Sequence, residues 1–126
     1  MKIGKLIFVF LAVALAGVII FFAVNFVFAP EPGKGEKAEK GYALCEQIIG
    51  ELEGFREAQR KYPDSLGVVL SHLPDQRRMV AKEYQVTYRP SDSARSFSLT
   101  FTYTGPGVNH CTYSSATKKW ECHGYY

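Results

Sequence analysis

The chain has 126 residues, enough for one compact domain and one added feature but not for two enzyme-sized domains. Hydrophobic residues make up 47% and charged residues 21%, and the mean hydropathy of −0.09 excludes a multi-span membrane protein. The net charge of +3 includes Lys2 and Lys5; without them thirteen bases face twelve acids, too near neutrality for a strongly basic nucleic-acid binder.

No charged residue occurs between Lys5 and Glu31, and the run from Leu6 to Ala29 holds one polar side chain, Asn25. A helix of that length spans about 36 Å, enough to cross a hydrocarbon core with some tilt. A secretory signal peptide has a shorter apolar stretch, and the one candidate cleavage site, Val27-Phe28-Ala29, is followed by Pro30. Residues 6–29 are therefore expected to be an uncleaved anchor in the lipid bilayer, behind a cytoplasmic head at 1–5. Lys34, Lys37 and Lys40 follow the span, so flanking bases do not set its orientation. Ala12, Ala16 and Gly17 permit close helix packing, although such spacings arise by chance in apolar runs.

Residues 30–40, rich in proline, glycine and charge, read as a flexible solvated tether. An extracytoplasmic domain is expected over 41–126. In it Leu44, Ile48, Leu52 and Phe55, flanked by Cys45 and Ile49, form one apolar stripe on a helix running to about Lys61. Tyr62-Pro63 ends that helix. Asp64 or Ser65 then caps a short second helix carrying Leu66, Val69, Leu70 and Leu73, which Pro74 stops. Asp75 to Arg78 read as a polar connection.

The period then becomes two. A first strand carries Tyr84, Val86 and Tyr88, and a second Phe97, Leu99, Phe101 and Tyr103. Gly105-Pro106-Gly107 marks a type II turn, a third strand runs from Val108 to Ser114, and a fourth from Trp120 to Tyr126. The fold class expected is α+β: an N-terminal transmembrane helix, then an amphipathic helix packed on a small antiparallel meander.

If Ser114 and Lys119 flank the last hairpin, Cys111 faces Cys122 and Tyr113 faces Trp120. Facing cysteines of that kind can close a cross-strand disulfide, worth about 3 kcal/mol for so short a loop; two buried thiols in a cytosolic sheet are the alternative. A disulfide requires an oxidising compartment, which places the domain outside the cytoplasm, most simply in the periplasm of a bacterial inner-membrane protein with a cytoplasmic N-terminus. Cys45, beside the apolar stripe, reads as a buried free thiol.

The histidines of His110-Cys111 and Cys122-His123 point away from their adjacent cysteines, and no CxxC or CxxCH spacing occurs, so neither metal nor cofactor is expected. No nucleophile elbow, HExxH or phosphate loop is present. Glu51, Glu53 and Glu57 on a helix read as a solvated face, and His72 has no evident nucleophile beside it. Arg77, Arg78 and Lys82 cluster, and Lys118 and Lys119 lie near Tyr113, Trp120, Tyr125 and Tyr126. Bases beside aromatics can hold single-stranded nucleic acid, but the near-neutral charge favours a soluble hairpin tip with aromatic packing.

An apolar N-terminal helix, an amphipathic helix closed by Tyr62-Pro63-Asp64-Ser65-Leu66, and a C-terminal meander with a disulfide hairpin resemble the type IV pilins and type II secretion pseudopilins. The resemblance covers the globular part only. The family's processing motif is absent, with Gly4-Lys5-Leu6-Ile7 in its place and no glutamate before Glu31. It implies a pilin-like fold on a permanent anchor.

The function expected is a non-enzymatic, membrane-anchored structural or protein-interaction module with an envelope protein partner. Its contact surface would be the sheet edge or the residues Tyr113, Lys118, Lys119, Trp120, Tyr125 and Tyr126. A nucleic-acid-binding minor-pilin relative using Lys118 and Lys119 is the second reading; a small envelope hydrolase using Glu51 or Glu57 is the third.

Overall fold

A computed structural model describes residues 2–27, 30–105 and 107–125, without the side chains of Phe26 and Tyr125. The chain divides into two compact units, one up to Pro30 and one from Glu31. The first is a single helix, α1 (Lys2–Val27). Its described side chains are all exposed within the unit, including Phe8 at 73% and Ile19 at 60%. So large an uncovered apolar surface is unfavourable in water and natural in lipid. The helix is long and apolar enough to cross a membrane over Lys2–Asn25. That stretch begins earlier than the sequence suggested, because Lys2 and Lys5 are already helical; Phe28 and Ala29 lie outside the described residues. Asn25 Nδ2 donates to Phe21 O at 2.7 Å, so the one polar side chain of the run finds its partner inside the helix, as hydrocarbon demands.

The second unit is α+β. Its order is α2 (Glu36–Gln59), α3 (Gly67–Leu70), α4 (Asp75–Glu83), β1 (Thr87–Pro90), β2 (Phe97–Thr104), β3 (Val108–Ser114) and β4 (Lys119–Tyr125). The strands form one antiparallel sheet in the order β1-β2-β3-β4, the meander expected from the period-two pattern. β2 shows why: Phe97, Leu99, Phe101 and Tyr103 are buried while the residues between them are not. Beneath them α2 lays down Ala38, Leu44, Cys45, Ile48 and Leu52, all fully buried. Phe55, at the far end of the stripe, is only half-buried.

Several expectations need correction. The tether expected over 30–40 ends sooner, because α2 begins at Glu36. Gly35, at φ 98°, turns the chain into the helix, Ala38 and Gly41 are buried in its first two turns, and Lys40 pairs with Glu36 one turn back at 3.3 Å. At the other end α2 stops at Gln59, ahead of Tyr62-Pro63. Arg60 turns left-handed at φ 60° and donates to Arg56 O. Asp75–Arg78, expected as a connection, is the first turn of α4, and Pro74 precedes that helix instead of stopping its predecessor. Proline is tolerated at a helix start, where no partner for its missing N–H is needed. α3 has Leu66 at its N-cap without a side-chain cap, so neither Asp64 nor Ser65 plays that part. Finally, Tyr84 closes α4 by donating its N–H to Val80 O, and Gln85 takes φ 47°; the first strand therefore starts at Thr87. Pro106 of the expected type II turn lies outside the described residues.

The closest approach of helix to sheet is at Gly41. A Cβ built there would lie 2.4 Å from Phe101 Cε2 and 2.5 Å from Cδ2, inside any permitted contact. Phe101 is fully buried, so it has nowhere to move. Gly41→Ala is expected to destabilise the fold by about 1–3 kcal/mol through overpacking. Gly50→Ala, on an exposed position of the same helix with nothing within 4 Å, should stabilise it by about 0.5–1 kcal/mol. Chemical denaturation of the two variants measures both signs.

Candidate functional site

The hairpin of β3 and β4 brings together most of the residues the sequence singled out. Its register pairs Cys111 with Cys122, Tyr113 with Trp120 and Ser114 with Lys119. Cys111 and Cys122 form a disulfide with their Cα atoms 4.1 Å apart, the separation of a directly facing, non-hydrogen-bonded pair. The side-chain alternation of the hairpin then sorts the remaining candidates between two faces.

The inner face carries the disulfide, Tyr113 and Trp120. Trp120 lies 5.0 Å from the Tyr42 ring, 5.4 Å from Phe101 and 5.4 Å from Tyr113. Two of the four aromatics of the expected contact surface, Tyr113 and Trp120, are thus half-buried against the core. Lys118, at φ 57° in the hairpin turn, and Lys119, at its foot, are exposed. Tyr125 ends β4 opposite Val108, its side chain outside the described residues, as is all of Tyr126.

A strap with no signature in the sequence crosses this inner face. Gly33 N donates to the Tyr103 hydroxyl at 2.9 Å, and the Tyr42 hydroxyl donates to Gly33 O at 3.0 Å while lying 3.1 Å from Cys122 Sγ. A Cβ on Gly33 would lie 2.5 Å from Cys122 Sγ, and one on Gly124 would lie 2.7 Å from Pro32. Gly33 also takes φ +84°, a conformation open to glycine alone at little cost. The segment before α2 is therefore seated on the disulfide. Tyr42, which links helix, strap and hairpin, had no signal beyond its place at the edge of the stripe.

The outer face is polar and uncovered by any described element. Thr87, Thr100, Thr112 and Glu121 form one cross-strand row, and Thr102, His110 and His123 the next. Thr100 and Thr112 hydroxyls are 2.8 Å apart, and Thr102 Oγ1 lies 2.9 Å from His110 Nδ1.

Elsewhere, a cleft of 740 Å³ opens between the start of α2, the end of α4 and the β2–β3 end of the sheet, with Lys37, Lys40, Glu83 and Tyr84 on its walls. Lys37 Nζ donates to Thr104 O at 2.6 Å and Tyr84 OH donates to Lys37 O at 2.9 Å. A smaller apolar groove of 260 Å³ between α2 and α3 has Glu51 and His72 at its rim, with His72 Nδ1 3.9 Å from Glu51 Oε2. His72 thus has a partner that sequence spacing did not reveal, but it is a carboxylate, and the neighbouring Ser71 hydroxyl donates to Val68 O. Glu57 is exposed on α2, and Arg77, Arg78 and Lys82 lie along α4. Among the described residues no three His, Cys, Asp or Glu side chains are grouped to hold a metal ion. No protein-family model, curated protein or solved structure matches this chain.

Cys45 is buried and reduced, and burial pushes its thiol up from 9.0 to about 12. Little thiolate exists at neutral pH, so the group is inert. Burial, reinforced by Tyr62 and then Asp64, raises Tyr88 from 10.0 to about 12; the Tyr88 hydroxyl donates to Pro63 O at 2.7 Å. Both groups ionise more readily in the unfolded chain. Their contribution is complete below about pH 9 and is lost as pH climbs through the folded-state values near 12. The denaturation midpoint should stay level from pH 7 to 8.5 and fall progressively above 9, with iodoacetamide reaching Cys45 only on unfolding. Replacing Cys111 and Cys122 together by alanine should lower unfolding stability at pH 7 by about 3 kcal/mol, measured by urea titration.

Proposed function

We propose that this is a single-pass membrane protein whose α+β unit stands on the extracytoplasmic side and serves as a pilin-like structural or protein-interaction module. One observation carries the reading: a helix of spanning length, bare of charge from Leu6 to Val27, is followed by a small unit stapled by Cys111–Cys122. The helix asks for lipid and the disulfide for an oxidising compartment. The long helix on an antiparallel meander with a disulfide hairpin supports the comparison with pilin-like exported domains. The bacterial inner membrane and the periplasm are the setting in which these features meet most simply.

The contact surface we assign is the free edge of β4. Among the described residues this seven-residue strand pairs with β3 alone, leaving backbone donors and acceptors on its other side for strand addition by a partner. β1, the opposite edge, has four residues and ends in Pro90, a poor template. The nucleic-acid reading is less well supported, because Tyr113 and Trp120 are engaged with the core, and no described exposed ring accompanies Lys118 and Lys119.

Thr117→Cys, at an exposed position of the hairpin turn, tests the topology. A membrane-impermeant maleimide should label it in intact cells; labelling only after lysis rejects the extracytoplasmic assignment. A photocrosslinking residue at Glu121 should capture a partner in intact cells, while the same probe at the exposed Gly50 captures none. Equal capture at both sites, or none at Glu121, rejects the β4 edge.

A further inference from the structure

With Cys45 free and buried, the three cysteines of the chain leave Cys111–Cys122 as its single disulfide. Thiol–disulfide exchange begins when a thiolate reaches one of the two sulfurs. Cys111 is fully buried and Cys122 half-buried, so an attacking thiolate must come from the Cys122 side. Gly33 stands there. The Cβ it lacks would lie 2.5 Å from Cys122 Sγ and 2.9 Å from Cys122 Cβ. Two tyrosine hydroxyls hold the glycine in place: Tyr103 accepts from its N–H at 2.9 Å, and Tyr42 donates to its carbonyl at 3.0 Å.

We propose that residues 31–35 are a redox-gated latch: seated, the strap shields the disulfide, and a dithiol that reduces the disulfide releases the strap. Once the strap lifts, a thiolate of the dithiol attacks Cys122 Sγ and the bond to Cys111 breaks. Cys111 leaves as a thiolate and takes up a proton. The second thiolate of the reductant then attacks its own sulfur in the mixed disulfide, and Cys122 leaves and is protonated in turn. Two electrons pass to the protein, and the reductant ends as a disulfide. Two thiols need more room than a bonded pair, because their sulfurs part to van der Waals separation. Cys111 is closely packed and cannot yield, so Cys122 takes up the movement, and Gly33 already fills the space beside its sulfur. Bond and seat therefore favour each other, by the same factor in either direction. Breaking the bond turns the fixed entry to α2 into a free segment. The inference rests on the folded unit alone, so it stands apart from the side of the membrane on which that unit lies.

The test uses the full chain in detergent micelles with dithiothreitol as the dithiol, reduction being followed by thiol alkylation and intact mass. Tyr103→Phe removes the acceptor of the Gly33 N–H, and Gly33→Ala cannot seat against Cys122. Each should be reduced at least tenfold faster than the wild type. Gly50→Ala, with nothing within 4 Å, should be reduced at the wild-type rate. A cooperative urea transition checks that each variant is folded. In the wild-type chain the reduction rate below that transition should scarcely depend on urea, because opening a few residues exposes little surface. Hydrogen exchange reads the reverse direction and needs no variant. In the reduced chain the Gly33 amide should exchange at the rate of an unstructured peptide, while that of Ile48, within α2, stays protected. The proposal is overturned if either strap variant is reduced at the wild-type rate, or if wild-type reduction follows the full urea dependence of unfolding. It is equally overturned if Gly33 stays protected after reduction, or if Ile48 loses its protection as well.

Discussion

The contact that organises the folded unit is the seating of Phe101 against Gly41. Without a Cβ on residue 41, α2 comes close enough to β2 for the Phe101 ring to occupy the space a methyl group would take. That single approach brings Leu44, Ile48 and Leu52 down onto Leu99 and its neighbours, and all of these are fully buried. Tyr42, the next residue, packs edge-on to Phe101 at 5.3 Å and to Trp120 at 5.0 Å. Phe101 thus joins helix, central strand and hairpin in one aromatic cluster. A larger residue at 41 would lift the helix and loosen each of these contacts at once.

Tyrosine is the working residue of this core. Tyr42, Tyr62, Tyr84 and Tyr88 each bury ring area while the hydroxyl reaches a partner: Gly33 O, Glu53 Oε1, Lys37 O and Pro63 O respectively. Each therefore ties two segments of the unit together without leaving a polar atom orphaned, and no buried side-chain nitrogen or oxygen among the described residues lacks a partner. A unit of this size has limited apolar area, and such bonds, with the disulfide, supplement it. The same burial that satisfies these hydroxyls in neutral form raises them above their ordinary values, desolvation being the first cause for all four.

What the sequence disclosed followed from period and symmetry. β2 alternates so regularly, and the hairpin is so short, that the facing of Cys111 with Cys122 could be read directly. The same parity places Tyr113 and Trp120 on the cysteine side, so their burial was implicit in residues already singled out as exposed candidates. The pairing of His110 with His123 was implicit in the same way. α4 was not legible, because its inward side is only Val80, Ala81 and the terminal Tyr84, while its one other apolar residue, Met79, is exposed among polar neighbours. The first turn of α2 was hidden by the proline and glycine residues just before it, whose disruptive effect ends at Gly35. The strap is tertiary in origin: nothing local to residues 31–35 says that Tyr103 and Cys122 will be waiting for Gly33.

That strap changes how the disulfide is to be understood. In a bare hairpin Cys111–Cys122 would restrain two strands that already pair through seven rungs. Here the bonded sulfur of Cys122 also forms the floor on which Gly33 rests, with Tyr42 and Tyr103 as its walls. Pro32 and Gly33 fit only because residues 33 and 124 lack side chains. The start of α2, the strap and the last hairpin therefore share contacts that none of them has alone, which makes them one cooperative block. The chain entering the unit at Glu31 is held at its first turn, where Lys34 N donates to Glu31 O at 3.0 Å, and from there passes to Gly33's seat and into the helix.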